Sequence, residues 1–121
     1  MPASERIAVD DMDGIPVIRF LDSKIYDDRV VRELVTQLDA IMPKSGPIVL
    51  ILDFSGVTMI SSAFIGRIVL MQRRVEASKG MMRLCELGKI VRDVLRTTNL
   101  DRVLKIDRDR RESREAFGPM K

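Results

Sequence analysis

Histidine and tryptophan are absent from these 121 residues, and there are only one cysteine, one tyrosine and four phenylalanines. Each shortage removes a class of function. Without histidine, the usual general base and the commonest metal ligand are both missing. No G-x-S-x-G elbow is present either, so no catalytic residue is expected and the chain does not read as an enzyme. A metal would rest on carboxylates alone, and none cluster at calcium-loop spacing, so neither metal nor cofactor is expected. A lone Cys85 cannot form an internal disulfide and reads as an inert core residue. So few aromatics argue against stacking on single-stranded nucleic acid. No apolar run approaches the roughly 18 residues of a membrane helix. The opening M-P-A-S-E-R has no basic stretch leading into an apolar segment. A cytoplasmic location without membrane insertion is the expectation.

What is present fits one globular α/β domain over 1–121 with a core of about 6–117, since 45% of residues are hydrophobic and 32% charged. Net charge is +3 and unevenly placed: Arg67 to Arg96 holds eight Lys/Arg against three Asp/Glu. Solvated helix faces account for that run, and so does a docking face for an acidic partner or for nucleic acid.

Two β-prone runs, Arg6–Asp11 and Ile15–Leu21, flank Asp13-Gly14, a hairpin signal. Pro16 fits only an edge or a strand start. Asp27-Asp28 offers N-caps for a helix whose stripe is Val30, Val31, Leu34, Val35, Leu38, Ile41 and Met42. Pro43, Gly46 and Pro47 end it. The run Ile48–Phe54 suits a strand buried on both faces. A second helix, from Ser61 or Ser62 to about Ser78, turns Phe64, Ile65, Ile68, Val69, Met71 and Val75 to one side, and its Gly66 reads as a point of close packing on the sheet. Met82–Leu87 reads as a strand, Lys89 to about Thr98 as a helix with Asn99 as a left-handed cap, and Val103–Ile106 as a short strand. A final helix follows the capping-box spacing of Asp109 and Glu112, anchored by Ala116 and Phe117. The order β-β-α-β-α-β-α-β-α implies a mixed, mostly parallel sheet with an N-terminal hairpin and about four helices.

The densest information lies at the junction L-D-F-S-G-V-T-M-I-S-S-A-F-I-G, Leu52 to Gly66. A serine pair opens a helix where backbone N–H groups lack partners. A phosphate is well tolerated there, because free donors and the helix dipole favour negative charge. That suggests a regulatory serine more than a catalytic one.

This junction, with M-R-L-C-E-L to T-N-L-D-R-V-L from Met82 to Leu104, resembles the STAS family, named for sulfate transporters and anti-sigma-factor antagonists. The resemblance spans about Ile7 to Phe117. It implies a non-enzymatic anti-sigma-factor antagonist that binds an anti-sigma factor with serine kinase activity. Ser62 falls on the phosphoacceptor position and Asp53 on the strand-end carboxylate that supports it. Ser61, Phe64, Arg67, Tyr26 and Asp27 would form the partner surface, with Phe64 either exposed for the partner or folded into the core. The pattern departs from the family at Ser61, where an Asp is frequent, and at Ala63 and Phe64, where Ser and Gly commonly follow. Ser23-Lys24-Ile25-Tyr26 replaces a Gly-acidic-Leu-Asp landmark. A scaffold or transporter-associated module of the same fold is the alternative. Asp10-Asp11 and Asp53 also raise an aspartyl-phosphate receiver, but a hairpin follows the first pair and Lys105 precedes Ile106 where Lys-Pro is needed.

Overall fold

The computed structural model describes residues 5–119; the remaining residues, which include most of the opening M-P-A-S-E-R, lie outside it. The chain opens with β1 (Ile7–Met12) and β2 (Ile15–Phe20), antiparallel in the register Val9↔Ile18. Asp13 and Gly14 between them take φ of 54° and 89°. Two successive left-handed residues match the twist of the flanking strands and close the hairpin tightly. Pro16 lies ahead of Val17–Arg19, the part of β2 that pairs with β4 (Val49–Asp53), so its missing N–H costs no bond on that side. A last strand, β6 (Met81–Cys85), completes the order β1-β2-β4-β6, with β2, β4 and β6 parallel.

The parallel strands need crossovers, and helices supply them. Helix α1 (Asp28–Ile41) is capped by Asp27, whose carboxylate accepts the N–H groups of Arg29 and Val30. It buries Val31, Leu34 and Leu38, the centre of the expected stripe, and leaves Ile41 exposed. Helix α2 (Ser62–Ala77) buries Phe64, Ile65, Ile68, Met71, Gln72 and Val75. Helix α3 (Lys89–Thr97) buries Val91 and Leu95 and ends at Asn99, which is left-handed as expected. These three helices cover one face of the sheet. The core there includes a trio of rings: Phe20 stands edge-on to Phe54 at 4.9 Å and to Phe64 at 5.6 Å. The turn from α2 into β6 presses against the start of β4. A Cβ on Gly80 would lie 1.8 Å from the Ile48 carbonyl oxygen, so no larger residue fits.

The opposite face carries a smaller cluster of Ile15, Val17, Ile51 and Cys85, covered by Phe117 and the short helix α4 (Arg110–Ala116). Cys85 is buried there as expected, and desolvation pushes its thiol up to about 12. No helix among the described residues is long and apolar enough to cross a membrane.

Three expectations need correction, and one pair of strands was not expected. Val103–Ile106 is not a strand: a 3₁₀ turn at Leu100–Arg102 precedes a single parallel bridge, Leu84↔Ile106. The segment runs beside β6 through backbone bonds, Leu84 N–H to the Lys105 carbonyl and Asp107 N–H to the Leu84 carbonyl, without forming a strand of its own. Ala116 is exposed and anchors nothing, since α4 turns Ser113 inward instead. Gly66 does not approach the sheet. It lies on the outer face of α2, and a Cβ built on it meets nothing within 4 Å. Two further strands, β3 (Lys24–Ile25) and β5 (Met59–Ile60), pair with each other outside the main sheet and carry no periodic signal.

Candidate functional site

The small β3–β5 ladder assembles the site. Lys24 pairs with Met59 and Ile25 with Ile60, in parallel, and the Ser61 N–H donates to the Ile25 carbonyl at 2.8 Å. The Thr58 N–H and hydroxyl both donate to the Ser23 carbonyl, at 2.7 and 3.1 Å. The starts of α1 and α2 are thereby held side by side. Tyr26 and Asp27, next after β3, come alongside Ser61 and Ser62, next after β5.

Within the serine pair the roles divide. Ser61 is extended, at φ −90° and ψ 161°, and is the N-cap: its Oγ accepts the Phe64 N–H at 3.1 Å, and its carbonyl accepts Ile65 N–H at 3.0 Å. Ser62 is the first helical residue and exposed, and its hydroxyl has no hydrogen-bond partner among the described residues. The first turn of α2 holds no acidic residue, so the positive end of the helix dipole is not offset locally. The site therefore presents one free hydroxyl in a field that favours an added negative charge.

Exposed at the same two junctions are Tyr26, at 53%, Met59, at 44%, and the cap Asp27, and Arg67 is exposed further along α2. Met59 escapes notice in the sequence because only the β3–β5 pairing places it. Phe64 is a correction: it is fully buried and cannot present a partner surface. Its position on the inward stripe of α2 and its edge contact with Phe20 take it into the core.

Asp53 sits beneath the loop that leads to the site and is 2% exposed. One carboxylate oxygen accepts the Ser55 N–H at 2.7 Å, and the other accepts Arg110 Nε at 2.5 Å. Burial works against its ionisation, but hydrogen bonds from Ser55 and the Arg110 charge outweigh it and hold the carboxyl below its ordinary value. Arg110 also reaches Asp10 at 3.1 Å. With both oxygens engaged, Asp53 is a structural anchor for the loop. The antiparallel β1–β2 hairpin likewise departs from the receiver topology that Asp10-Asp11 and Asp53 raised.

The STAS domain family model matches residues 7–113. Among solved structures, the chain is similar to an anti-sigma-factor antagonist (STAS) domain protein from Planctomyces limnophilus. That match has a TM-score of 0.81 and 23% identity, and covers 93% of this chain and 98% of the other. A putative anti-sigma factor antagonist from Thermotoga maritima aligns with TM-score 0.67 and 23% identity, over 91% and 92% of the two chains. An anti-sigma factor antagonist from Mycobacterium paratuberculosis aligns with TM-score 0.71 and 18% identity, over 91% of each. At these identities the likeness is one of fold. No curated protein matches the sequence significantly.

Proposed function

Because the chain belongs to the STAS family, we propose that it acts as an anti-sigma-factor antagonist in a phosphorylation-controlled partner switch in the cytoplasm. With Ser62 unmodified it binds an anti-sigma factor that has serine kinase activity. The protein is the kinase's substrate and carries out no reaction of its own. The observation that carries this reading is the division of labour in the serine pair: Ser61 is spent as a cap, and Ser62 stands free and exposed one residue later.

Phosphorylation of Ser62 would add about −1.5 to −2 charge at pH 7. The start of α2 accommodates that charge, because its first N–H groups and its dipole point at it. A partner surface closed over Ser62, Tyr26 and Met59 does not. Burying a phosphate without a cationic partner costs several kcal/mol, on the order that separates a tight complex from a weak one. The kinase thus ejects itself by modifying the surface it grips, and the sigma factor is recaptured.

Incubation with the cognate kinase and ATP, followed by mass spectrometry of the phosphopeptide, tests the assignment. Phosphate on Ser62, with weakened binding, is the expected result. Phosphate on Ser61 or Thr58 defeats the site, and phosphate nowhere favours a scaffold of the same fold.

A further inference from the structure

A groove of about 500 Å³ runs between the outer sides of α1 and α2, beginning one turn beyond Ser62. Its floor is apolar, formed by Leu38, Ile68 and Met71, and Leu70 stands at its side 52% exposed. Its rim is cationic. Arg67 and Arg73 have no ion-pair partner among the described residues, and Arg74 shares its charge with Asp39 at 3.0 Å across the groove. The basic run noted in the sequence therefore resolves into distinct parts. Arg83 is consumed by Asp107, and Lys89 and Arg96 by Asp93, whereas Arg67 and Arg73 remain available beside an apolar channel.

We infer that this groove is a docking site for an acidic amphipathic helix of a partner protein. The spacing of the cations selects that occupant. Arg67 and Arg74 lie seven residues apart on one face of α2, about 10.5 Å along its axis, and the Arg74–Asp39 pair is half-exposed, so a partner carboxylate can take Arg74 from it at little cost. Between those two arginines α2 places the exposed Leu70 and the groove-lining Met71, so the rim offers two charges with an apolar stretch between them. A helix with carboxylates at i and i+7 and apolar side chains at i+3 and i+4 meets both arginines and lays its apolar edge on Leu70 and Met71. α1 and α2 each cross between parallel strands on the same face of the sheet, so they run side by side and leave a straight channel. A second copy of the chain is a poor occupant, since it carries a net charge of +3 itself. The exposed Leu70 and the apolar floor likewise disfavour nucleic acid.

The inference does not rest on phosphorylation of Ser62, and its test needs no kinase. A fluorescein-labelled helical peptide of about four turns, with Glu at i and i+7 around a Leu pair, is titrated with the unmodified protein by anisotropy. Its Lys-for-Glu counterpart and phosphatidylglycerol vesicles run in parallel, with ¹⁵N shift mapping of the complex. Salt-sensitive binding of the acidic peptide is expected, with shifts at Val35–Asp39 and Arg67–Ala77. The Arg67→Glu/Arg74→Glu protein should bind about tenfold or more weakly. Leu70→Ala should weaken binding with its salt dependence intact. Equal binding of both peptides, shifts centred elsewhere, or no binding at about 1 mM overturns the inference. Vesicle binding without peptide binding overturns it too and reassigns the surface to a membrane.

Discussion

Asp53 and Arg110, 57 residues apart in sequence, meet in an ion pair of 2.5 Å whose carboxylate is 3% exposed and whose guanidinium is 28% exposed. The pair joins the end of β4 to the first turn of α4. The backbone N–H of Arg110 also donates to Glu86 at 3.0 Å, just after β6, and its guanidinium reaches Asp10 within β1, so one residue ties three strands. Asp53→Asn keeps the Ser55 contact and loses the charge. It should cost about 1.5–3 kcal/mol, the worth of a hydrogen bond to a charged group. Arg110→Met leaves a buried carboxylate uncompensated and should cost about 3–5 kcal/mol. Urea midpoints check the ranking; an Arg110→Met protein as stable as wild type would show that the pair does not hold α4.

The same carboxylates set the acid response. Asp107 is held below its ordinary range by Arg83, against the opposing effect of burial and with help from Ser113. Asp53 is lowered as well. A folded-state value below the unfolded one means that their stabilisation is complete above about pH 4, the unfolded range. It is lost as pH falls through the lower folded values. No histidine titrates between, so stability from pH 5 to 7 should be nearly flat. Urea titrations from pH 7 to 2 check this, and Asp53→Asn/Asp107→Asn should flatten the acid limb.

Two glycines should respond oppositely to alanine. Gly66 lies open on α2 at helical φ, so Gly66→Ala should raise stability by about 0.5–1 kcal/mol through the unfolded chain. Gly80→Ala drives a methyl into the Ile48 carbonyl and should fold poorly or lose several kcal/mol, on the order of a severe overpacking. Denaturant midpoints with unchanged slope for Gly66→Ala distinguish a pure stability gain from a changed native state.

The serine pair should separate in the same assay. Ser61→Ala removes the cap on Phe64 N–H and should cost about 1 kcal/mol. Ser62→Asp places a carboxylate on the open dipole and should melt at or slightly above wild type, by about 0.3–1 kcal/mol. The reverse order would mean that Ser62 is the cap.

Features carried by local chemistry were legible in the sequence. The hairpin follows from Asp13-Gly14, α1 from its stripe and Asp27, and the start of α2 from its serine pair. What was not legible depends on distant partners. The β3–β5 ladder is two residues long on each side, too short for any pattern, and joins Ser23–Ile25 to Thr58–Ile60 across all of α1 and β4. Phe64 follows the inward period of α2, but its fate is decided by Phe20, which only the folded sheet brings to it. The seat of α4 is polar: Arg110, Ser113 and Arg114 show no apolar repeat that could announce them.

The unequal cover of the two sheet faces has a consequence for assembly during synthesis. On the face covered by α1, α2 and α3 the Thr58–Ser23 bond closes over 35 residues, whereas on the other face Arg114 reaches the Met12 carbonyl across 102, and entropy must be lost before such a long closure returns anything. Strands and front helices are complete once Ile106 has emerged, but Val17, Ile51 and Cys85 stay uncovered until the last helix arrives. A nascent chain of this protein therefore passes through an interval with one finished face and one sticky one, and chaperone capture or self-association would fall in that interval.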